Sequence, residues 1–394
     1  MIIRMKATND KLNLLRQKLE ADGVVKVMIM GFGSVGGYLL DYLVGLQDEK
    51  MEIVVVGRNL DKLIQDVNIV RTAAVIRGAL RSKITVDGAC DLDHIDSITE
   101  TIARYQPDII VNSSRVYAGL KYGSISWHTL RAYGIWTPLS IRYARNIMEG
   151  CELAGSHAIV INTSYSDAVI PWLKSAGKLY PDFGSGNLNH LIPRIKFYVG
   201  EQCEITNLND IDVTLAVSHF HDVVISKEGQ AEGQKILLDV KYQGHNVEIE
   251  QSEIFKHCAI AMPVDQKRNM MNASSNFDII HAILEAIRLK KKMKVHSPGV
   301  QGEIGGYPYI IDGENVDSYF DESIFSISRM RQANRESIAL DGIENVINGN
   351  LVYTDVLVEK VKNAFGVILP KVVHFNEIDE VGHFLIEQII MRNK

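Results

Sequence analysis

A glycine-rich turn at residues 31–36 limits this chain to a small number of folds. An apolar run ends at Met30, and the next residues are Gly31-Phe32-Gly33-Ser34-Val35-Gly36. Apolar residues then recur at helical spacing: Val35, Leu39, Leu40, Leu43 and Val44. A strand, a glycine turn and a helix in this order are typical of dinucleotide-binding units, where the glycines permit a tight turn, close approach of a pyrophosphate and close helix packing. The sequence therefore predicts a dinucleotide site that includes Gly31, Gly33, Ser34, Val35 and Gly36.

The end of the second apolar run indicates which dinucleotide binds. Residues 51–56 read as a buried strand and lead into Gly57-Arg58-Asn59. An acidic residue at this position accepts hydrogen bonds from the ribose hydroxyls of NAD, whereas an arginine suits the 2′-phosphate of NADP. We therefore predict NADP(H) as the cofactor, with Arg58 and Asn59 in contact with it. NAD(H) stays an alternative, because Arg58 could also stack on an adenine or lie in solvent.

Two later strands end in polar residues that we expect at the same edge of the sheet. Residues 84–92 lead to Asp91-Leu92, and residues 108–112 lead to Asn112-Ser113-Ser114. Ligands of doubly wound parallel sheets bind at the carboxyl ends of the strands. Asp91, Leu92, Asn112, Ser113 and Ser114 therefore complete the predicted cofactor site. The expected fold class is α/β, with a Rossmann-type doubly wound parallel sheet.

The first part of the chain resembles the saccharopine dehydrogenase-like oxidoreductases, which include saccharopine reductases and homospermidine synthases. The resemblance rests on GFGSVG at 31–36, VVVGRNLDKL at 54–63 and DLDHIDSITETIARYQPDIIVNSS at 91–114. It implies hydride transfer between a nicotinamide cofactor and an amino-acid-derived imine or carbonyl compound. It gives little information about the substrate, because function depends on the site and not on the fold.

The composition changes after residue 194 from alternating helices and strands to strands alone. Segments 195–200, 210–226, 235–242 and 245–250 are rich in β-branched residues. They predict a second, mostly antiparallel α+β domain that covers the cofactor cleft. On the second segment, His219 and His221 would continue the apolar face of one strand, about 6–7 Å apart. Two buried structural histidines are the alternative, and the absence of a spaced third ligand argues against a metal site.

The remaining candidate residues have side chains or backbone groups that can exchange a proton or bind a carboxylate. His190, His219 and His221 are candidates for proton delivery, because histidine exchanges a proton near neutral pH. Arg194 and Arg329 are candidates to hold a substrate carboxylate as bidentate donors. Asn187 closes a glycine turn whose backbone N–H groups could approach the same carboxylate. A simple loop that leads into the next domain is the alternative for this turn, which spans residues 184–187.

We expect four segments. They are an N-terminal helical arm (1–23), the NAD(P)-binding domain (24–165), a substrate and dimerisation domain (166–325), and C-terminal helices that return to the first domain (326–394). The net charge of −6 gives no reason to expect a nucleic-acid partner, and the four cysteines lie far apart without metal-site spacing. No apolar segment is long enough to span a bilayer. These features predict a cytoplasmic homodimer that acts on a small molecule.

The function that follows is an NADP(H)-dependent oxidoreductase of the saccharopine dehydrogenase-like type. Two alternatives stay open. One is an opine- or homoserine-type dehydrogenase, which would combine the same cofactor with another second domain. The other is a nonenzymatic protein that binds a dinucleotide as a sensor, because the sequence contains no fixed catalytic spacing.

Overall fold

A computed structural model of the chain describes residues 7–117, 119–186, 188–233 and 236–392. Asn187 lies outside these residues. The strands are β1 (Val25–Met30), β2 (Met51–Val56), β3 (Lys83–Asp87), β4 (Ile109–Asn112), β5 (Ile159–Asn162), β6 (Phe183–Gly184), β7 (Ile211–Ala216), β8 (Leu237–Tyr242), β9 (His245–Asn246), β10 (Lys292–Pro298), β11 (Gly306–Asp312), β12 (Asp317–Phe320), β13 (Ile343–Ile347), β14 (Asn350–Tyr353) and β15 (Val372–His374). The helices are α1 (Thr8–Glu20), α2 (Ser34–Gly45), α3 (Leu60–Ile76), α4 (Ile95–Tyr105), α5 (Gly119–Ser124), α6 (Thr137–Leu153), α7 (Ser166–Ser175), α8 (Leu188–Gln202), α9 (His219–Glu228), α10 (Gln251–His257), α11 (Asn269–Leu289), α12 (Ile327–Leu340), α13 (Asp355–Phe365) and α14 (Ile378–Leu385).

Six parallel strands form the central sheet in the order β3-β2-β1-β4-β5-β6. The strand order reverses between β1 and β4, as in a doubly wound Rossmann-type fold. The register places Met30 beside both Val56 and Asn112, and Asn112 beside Asn162. The carboxyl ends of the strands are thus level with one another. The predicted fold class of the first domain is confirmed.

The sheet extends beyond the boundary expected at residue 165. Its last strand, β6, pairs with β5 through Ile161 to Phe183 and Asn162 to Gly184. α7 forms the crossover between these two strands. The short β6 shows no apolar run in the sequence, because it contributes only two residues to the sheet.

Both faces of the central sheet are buried. Met28 and Met30 of β1 pack into one core with α4, α6 and the C-terminal elements. Val27 and Ile29 point to the other face and pack with α2 and α11. A strand that is buried on both sides must be apolar at successive positions, and this explains the continuous apolar run before the glycine turn.

The second part of the chain contains three small antiparallel sheets, in the orders β7-β8-β9, β10-β11-β12 and β13-β14-β15. The predicted mostly antiparallel sheet structure is therefore confirmed. Gln243 and Gly244 connect β8 to β9, and both have positive φ angles, +49° and +82°. This is the backbone conformation that a two-residue hairpin turn requires.

Three strand predictions in this part were wrong. Residues 195–200 belong to α8, where Ile195 and Val199 are buried on the helix face. Residues 219–226 belong to α9 and do not continue β7. Residues 247–250 lie beyond β9, which ends at Asn246. In each case β-branched residues indicate a local preference that packing overrides.

The C-terminal elements pack on the first domain. Tyr353 of β14 donates a hydrogen bond to the carbonyl oxygen of Ile135 (3.0 Å). Arg145 of α6 binds Asp379 of α14 (3.0 Å). Among these elements, α12 ends at Leu340 and β13 begins at Ile343. The end of α12 reaches the edge of the central sheet and brings Asp341 there.

Candidate active site

A cleft of about 620 Å³ lies along the carboxyl ends of the central strands. We call it the glycine-turn cleft. Ten of the predicted cofactor-binding residues line it, namely Gly31, Gly33, Ser34, Val35, Arg58, Asn59, Asp91, Leu92, Ser113 and Ser114. The N-terminus of α2, which begins at Ser34, opens into this cleft. Free N–H groups and the positive end of the helix dipole suit a phosphate at this position.

The glycines of the turn have three different roles. Gly31 has a φ of +89°, and a Cβ atom there would lie 2.7 Å from the Cβ atom of Ser114. A Cβ atom at Gly36 would lie 2.7 Å from the carbonyl oxygen of Gly31, so Gly36 permits close packing of α2 on the turn. A Cβ atom at Gly33 would have no atom within 4 Å. Gly33 therefore leaves open space at the helix N-terminus, which fits a bound pyrophosphate.

The far end of the cleft is basic and exposed. Arg58 and Lys62 both line it, and the side chain of Arg58 is 70% exposed. One Arg58 nitrogen lies 3.5 Å from a carboxylate oxygen of Asp93. Asn59 accepts a hydrogen bond from the backbone N–H of Lys62 and thereby caps α3 (3.1 Å). The Asn59 side chain thus has a structural role at the edge of the cleft.

Asn112 lies beneath the cleft and is not part of its lining. Its side chain is buried and donates to the Oδ1 atom of Asn162 on the neighbouring strand (2.8 Å). The Ser113 hydroxyl donates to the carbonyl oxygen of Gly31 (2.6 Å). These bonds join the ends of β1, β4 and β5, so Asn112 holds the floor of the cleft in place.

A second cavity of about 220 Å³ adjoins the glycine-turn cleft. We call it the polar cavity. Residues that line both spaces form the junction between them, namely Arg115, Gly119, His190, Arg268 and Asn272. The polar cavity is also lined by Tyr133, Tyr165, Arg194, His219, Asp222, Ser226 and Lys227. A molecule in this cavity would therefore lie next to the inner end of a ligand in the cleft.

His219 is held firmly at the wall of the polar cavity. Its Nδ1 atom lies 2.9 Å from Oδ2 of Asp341, and the backbone N–H of His219 donates to Asp167 (3.0 Å). The Tyr133 and Tyr165 rings pack edge-on against the imidazole, with centroids 4.7 and 5.2 Å away. An Nδ1–H donor to the carboxylate leaves Nε2 as the ring nitrogen for other partners.

Asp341 is fully buried and accepts three hydrogen bonds. Besides the bond to His219, its Oδ2 atom accepts from the Tyr165 hydroxyl (2.6 Å), and its Oδ1 atom accepts from the backbone N–H of Tyr133 (2.6 Å). Burial lowers the pKa of His219, but the charge of Asp341 and its hydrogen bond raise it more, so the net shift is upward. A histidine with a raised pKa beside a carboxylate is suited to proton transfer near neutral pH.

His221 faces away from His219. The two residues lie two positions apart on a helix, where side chains at i and i+2 do not share a face. The Nδ1 atom of His221 lies 2.6 Å from the Ser337 hydroxyl, and its Nε2 atom lies 2.7 Å from the carbonyl oxygen of Glu232. Both ring nitrogens are therefore engaged within the protein, and His221 does not line the polar cavity.

The predicted carboxylate-binding arginines have separate environments. Arg194 lines the polar cavity, but it donates to the carbonyl oxygens of His190 (3.1 Å) and Cys258 (2.8 Å). Arg329 lies in another groove, where its guanidinium stacks on Phe325, 5.4 Å from the ring centroid. Arg329 is therefore not among the residues that line the polar cavity. Asn187, the third predicted substrate contact, is not among the described residues.

His190 and Asp222 face each other across the polar cavity. The Nδ1 atom of His190 lies 3.8 Å from Oδ2 of Asp222. Burial and the charges of Arg268 and Arg194 lower the pKa of His190 to about 3. Burial raises the pKa of Asp222 to about 8. Both groups are therefore uncharged at neutral pH.

Several residues of the polar cavity do not stand out in the sequence. Asp341 is separated from His219 by 122 positions, and nothing near it resembles a motif. Asp222 directly follows His221 in the segment His219-Phe220-His221-Asp222, and this closeness to two histidines is a signal that the sequence does contain. Lys227 and Arg268 read as ordinary solvated charges. In the structure, burial and Arg268 lower the pKa of Lys227 to about 8.

The described residues contain neither a metal-site cluster nor a membrane-spanning helix. No three histidine, cysteine, aspartate or glutamate side chains in this part of the chain are grouped as a metal site would require. No helix within the described ranges is both long and apolar enough to cross a membrane.

The comparisons with known proteins show the fold. No protein-family model matches the chain, and no curated protein matches it by sequence. Malate dehydrogenase from Cryptosporidium parvum is similar in structure at 13% identity, covering 81% of this chain and 98% of that chain, with a TM-score of 0.53. Malate dehydrogenase from Plasmodium falciparum in complex with NADH is similar at 14% identity, covering 87% of this chain and 99% of that chain, with a TM-score of 0.52. Lactate dehydrogenase from Cryptosporidium parvum, in complex with lactic acid and nicotinamide adenine dinucleotide, is similar at 15% identity. The match covers 92% of this chain and 98% of that chain, with a TM-score of 0.52.

These similarities extend over nearly the whole length of the neighbours. They do not support the resemblance to saccharopine dehydrogenase-like enzymes, because the similar structures are malate and lactate dehydrogenases and no family model matches. At this level of identity, the likeness shows that the chain shares the fold of malate and lactate dehydrogenases.

Proposed function

We propose that the protein is a nicotinamide-dinucleotide-dependent dehydrogenase or reductase that acts on a small carbonyl or imine compound bearing a carboxylate. The observation that carries this proposal is the position of the His219–Asp341 pair, in a cavity that adjoins the glycine-turn cleft. A hydride donor in the cleft and a proton donor in the cavity would then face the same reacting bond.

The chemistry divides between the cofactor and the protein. A bound nicotinamide supplies or accepts the hydride. In the reducing direction, His219 gives a proton from Nε2 to the oxygen or nitrogen atom of the acceptor, while Asp341 stabilises the imidazolium and fixes its orientation. In the oxidising direction the neutral imidazole takes this proton back. Tyr133 and Tyr165 restrict rotation of the ring by packing against it.

The charge of the polar cavity supports an anionic substrate. Arg115, Lys227 and Arg268 line it together. Lys227 also lies 4.0 Å from the centroid of the Trp127 ring, which holds it at the wall. Cationic side chains that line a cavity favour a carboxylate or a similar anion. A substrate carboxylate near Arg268 would place its reactive carbon at the junction of the two spaces.

We further propose that NADP(H) is preferred over NAD(H). Arg58 and Lys62 line the same end of the glycine-turn cleft, and no acidic residue follows β2 directly. Two cations at this position suit the 2′-phosphate of the adenosine ribose. The exposure of Arg58 leaves its guanidinium available for this contact, because the 3.5 Å approach to Asp93 is long for a hydrogen bond.

A turnover assay with matched histidine variants tests the proposed reaction. Oxidation of NADPH and NADH is measured with a panel of 2-oxo acids, with and without primary amines. Native protein should oxidise a cofactor with at least one acceptor. His219→Asn should lower kcat by about 10²–10⁴-fold, the usual contribution of a general acid, while cofactor affinity changes by less than about twofold.

His257→Asn is the control for this assay. His257 lies on α10, is half exposed and bonds to Glu253, away from both spaces. It should retain native activity. Absence of oxidation with every acceptor, or native activity in His219→Asn, would contradict the proposed function.

A further inference from the structure

Helices α8 and α9 present pairs of polar residues to each other at the inner end of the polar cavity. His190 and Arg194 are four residues apart on α8, and Asp222 and Ser226 are four residues apart on α9. Residues at this spacing share one helix face. Arg194 donates to the carbonyl oxygens of Ser226 (3.4 Å) and Cys258 (2.8 Å), so it ties the helices together and is not hydrogen-bonded to Asp222.

Buried polar atoms without hydrogen-bond partners are concentrated where α8 and α9 meet at the polar cavity. Among the described residues, four buried side-chain polar atoms have no hydrogen-bond partner within the protein. Three of the four belong to residues that line the polar cavity, namely Nε2 of His190, Oδ1 of Asp222 and Oγ of Ser226. Asp222 is only 2% exposed. Buried polar groups without partners are costly and rare, so three of them around one cavity indicate a polar ligand.

The chemistry of the three atoms indicates what kind of group they bind. A carboxylate oxygen, a hydroxyl oxygen and a neutral imidazole nitrogen can all accept hydrogen bonds. His190 accepts at Nε2 when its proton is on Nδ1, the atom that faces Asp222 at 3.8 Å. Asn272 lies near the His190 ring and raises its pKa slightly against the larger effect of burial. The Nε2 atom of His190 has no hydrogen-bond partner. Three acceptors match the three N–H donors of a primary ammonium group.

The surrounding charges restrict the ligand further. The charged and titratable groups near Asp222 are His190 and Arg194 of α8, His219 of α9, Asp167 of α7, Cys258 and Arg268. A simple cation would be repelled by the two arginines. A ligand that also carries a carboxylate would offset these positive charges, because Arg268 and Lys227 line the same cavity. The ligand is therefore expected to carry both charges.

We propose that His190, Asp222 and Ser226 form a subsite for the primary ammonium group of an amino-acid-like substrate. This inference rests on the proposed function, because it names the substrate class of the same cavity. The ammonium is an anchoring group and takes no part in hydride transfer. His190, Asp222 and Ser226 thus select the substrate, whereas His219 exchanges the proton.

Calorimetric titration with matched probes tests the subsite without requiring turnover. The probes are 4-aminobutyrate, 5-aminopentanoate and 6-aminohexanoate, each paired with the carboxylate that lacks the amine. At least one amino compound should bind about tenfold or more tightly than its partner. Asp222→Asn should reduce this preference to less than about twofold, and Ser226→Ala should reduce it partly. Asp239→Asn on β8, which lies outside the polar cavity, should leave the preference unchanged.

Proton release provides a second signature. Since the pKa of Asp222 is about 8 in the free protein, its carboxyl is mostly protonated at pH 7. Pairing with an ammonium lowers that pKa, so binding should release close to one proton per molecule of amino compound. Titrations in buffers of different ionisation enthalpy measure this number. Asp222→Asn should abolish the release even if the variant is less stable.

The outcomes separate the two proposals. Equal or weaker binding of every amino compound, or an amine preference that persists in Asp222→Asn, overturns the subsite. If an amino compound is preferred as described but no acceptor supports cofactor oxidation, the subsite is supported and the proposed reaction is rejected. If oxidation occurs and no amine preference exists, the reaction is supported and the subsite is rejected.

Discussion

At the residue scale, Asp341 determines the properties of His219. The carboxylate accepts from the imidazole, from the Tyr165 hydroxyl and from the backbone N–H of Tyr133. Each of these bonds restricts the position of the carboxylate, and the carboxylate in turn restricts the imidazole. Tyr165 adopts a left-handed backbone conformation with a φ of +44°. Such strained conformations occur often at functional sites, where the surrounding structure holds them.

Asp341→Asn should change the pH dependence of reduction. Burial lowers the pKa of His219, and Asp341 raises it more than Asp167 or Asp222 does, so removal of the Asp341 charge should lower this pKa. Reduction needs the protonated imidazole and is therefore fast below the pKa and slow above it. The alkaline limb of kcat/KM should move to lower pH in the variant. Profiles of rate against pH measure the shift.

The control for this prediction is Asp355→Asn, at the exposed start of α13. Its alkaline limb should coincide with that of the native protein. The raised pKa also contributes to folding stability below the ordinary pKa of histidine, and this contribution is lost as the pH rises through the folded-state pKa. An alkaline limb that stays in place in Asp341→Asn would mean that His219 is not the proton donor.

The sequence identifies single residues only when their chemistry is rare. His219 attracts attention because histidine titrates near neutral pH. Asp341 does not, because aspartate is common and its relation to His219 arises only when the end of α12 meets the start of α9. His221 has the same chemistry as His219 but lies on another face of the helix, which only the helical conformation of α9 reveals.

At the element scale, the unit formed by β1, the glycine turn and α2 is the most predictable part of the chain. Its interactions are local, so the pattern contains most of the information. The same holds for α13, where Thr354 accepts a hydrogen bond from the backbone N–H of Leu357 and Gly366 ends the helix. Capping residues act within a few positions of themselves.

Prediction is less successful where packing determines the conformation. The segment of α9 contains Val223, Val224 and Ile225, which favour strands when considered alone. β7 nevertheless ends at Ala216, and the chain leaves the sheet through the extended residue Ser218. Contact with α8 then stabilises a helix. No residue in the segment indicates this contact in advance.

Gly33→Val should separate folding from cofactor binding. A Cβ atom at Gly33 meets no other atom within 4 Å, so the variant should fold with a Tm close to that of the native protein. The added side chain would occupy the space in front of the α2 N-terminus. Dinucleotide affinity should fall at least about tenfold, because the pyrophosphate can no longer approach the backbone. Thermal unfolding and fluorescence titration measure the two effects.

Gly37→Ala is the matched control, because a Cβ atom there also has no neighbour within 4 Å. It lies in α2, one turn from Gly33, and should bind the dinucleotide normally. Native affinity in Gly33→Val would show that the pyrophosphate does not lie at this turn.

At the scale of the whole molecule, the two spaces are built from distant parts of the chain. The glycine-turn cleft uses the ends of β1, β2 and β4 together with residues 264–272. The polar cavity combines the region after β5 with α8 and α9, while Asp341 behind it follows α12. The cleft could be predicted because parallel strands end at one edge of a sheet. The polar cavity could not, because its residues meet only through tertiary packing.

The most direct test of the central claim is a titration of NADPH and NADH by nicotinamide fluorescence, on native protein and on Arg58→Asp. Native protein should bind NADPH more tightly than NADH if Arg58 and Lys62 contact the 2′-phosphate as proposed. Arg58→Asp should reverse this order, because a carboxylate repels the phosphate and accepts from the ribose hydroxyls. If native protein binds neither cofactor, the account of the glycine-turn cleft, and with it the proposed hydride transfer, is wrong.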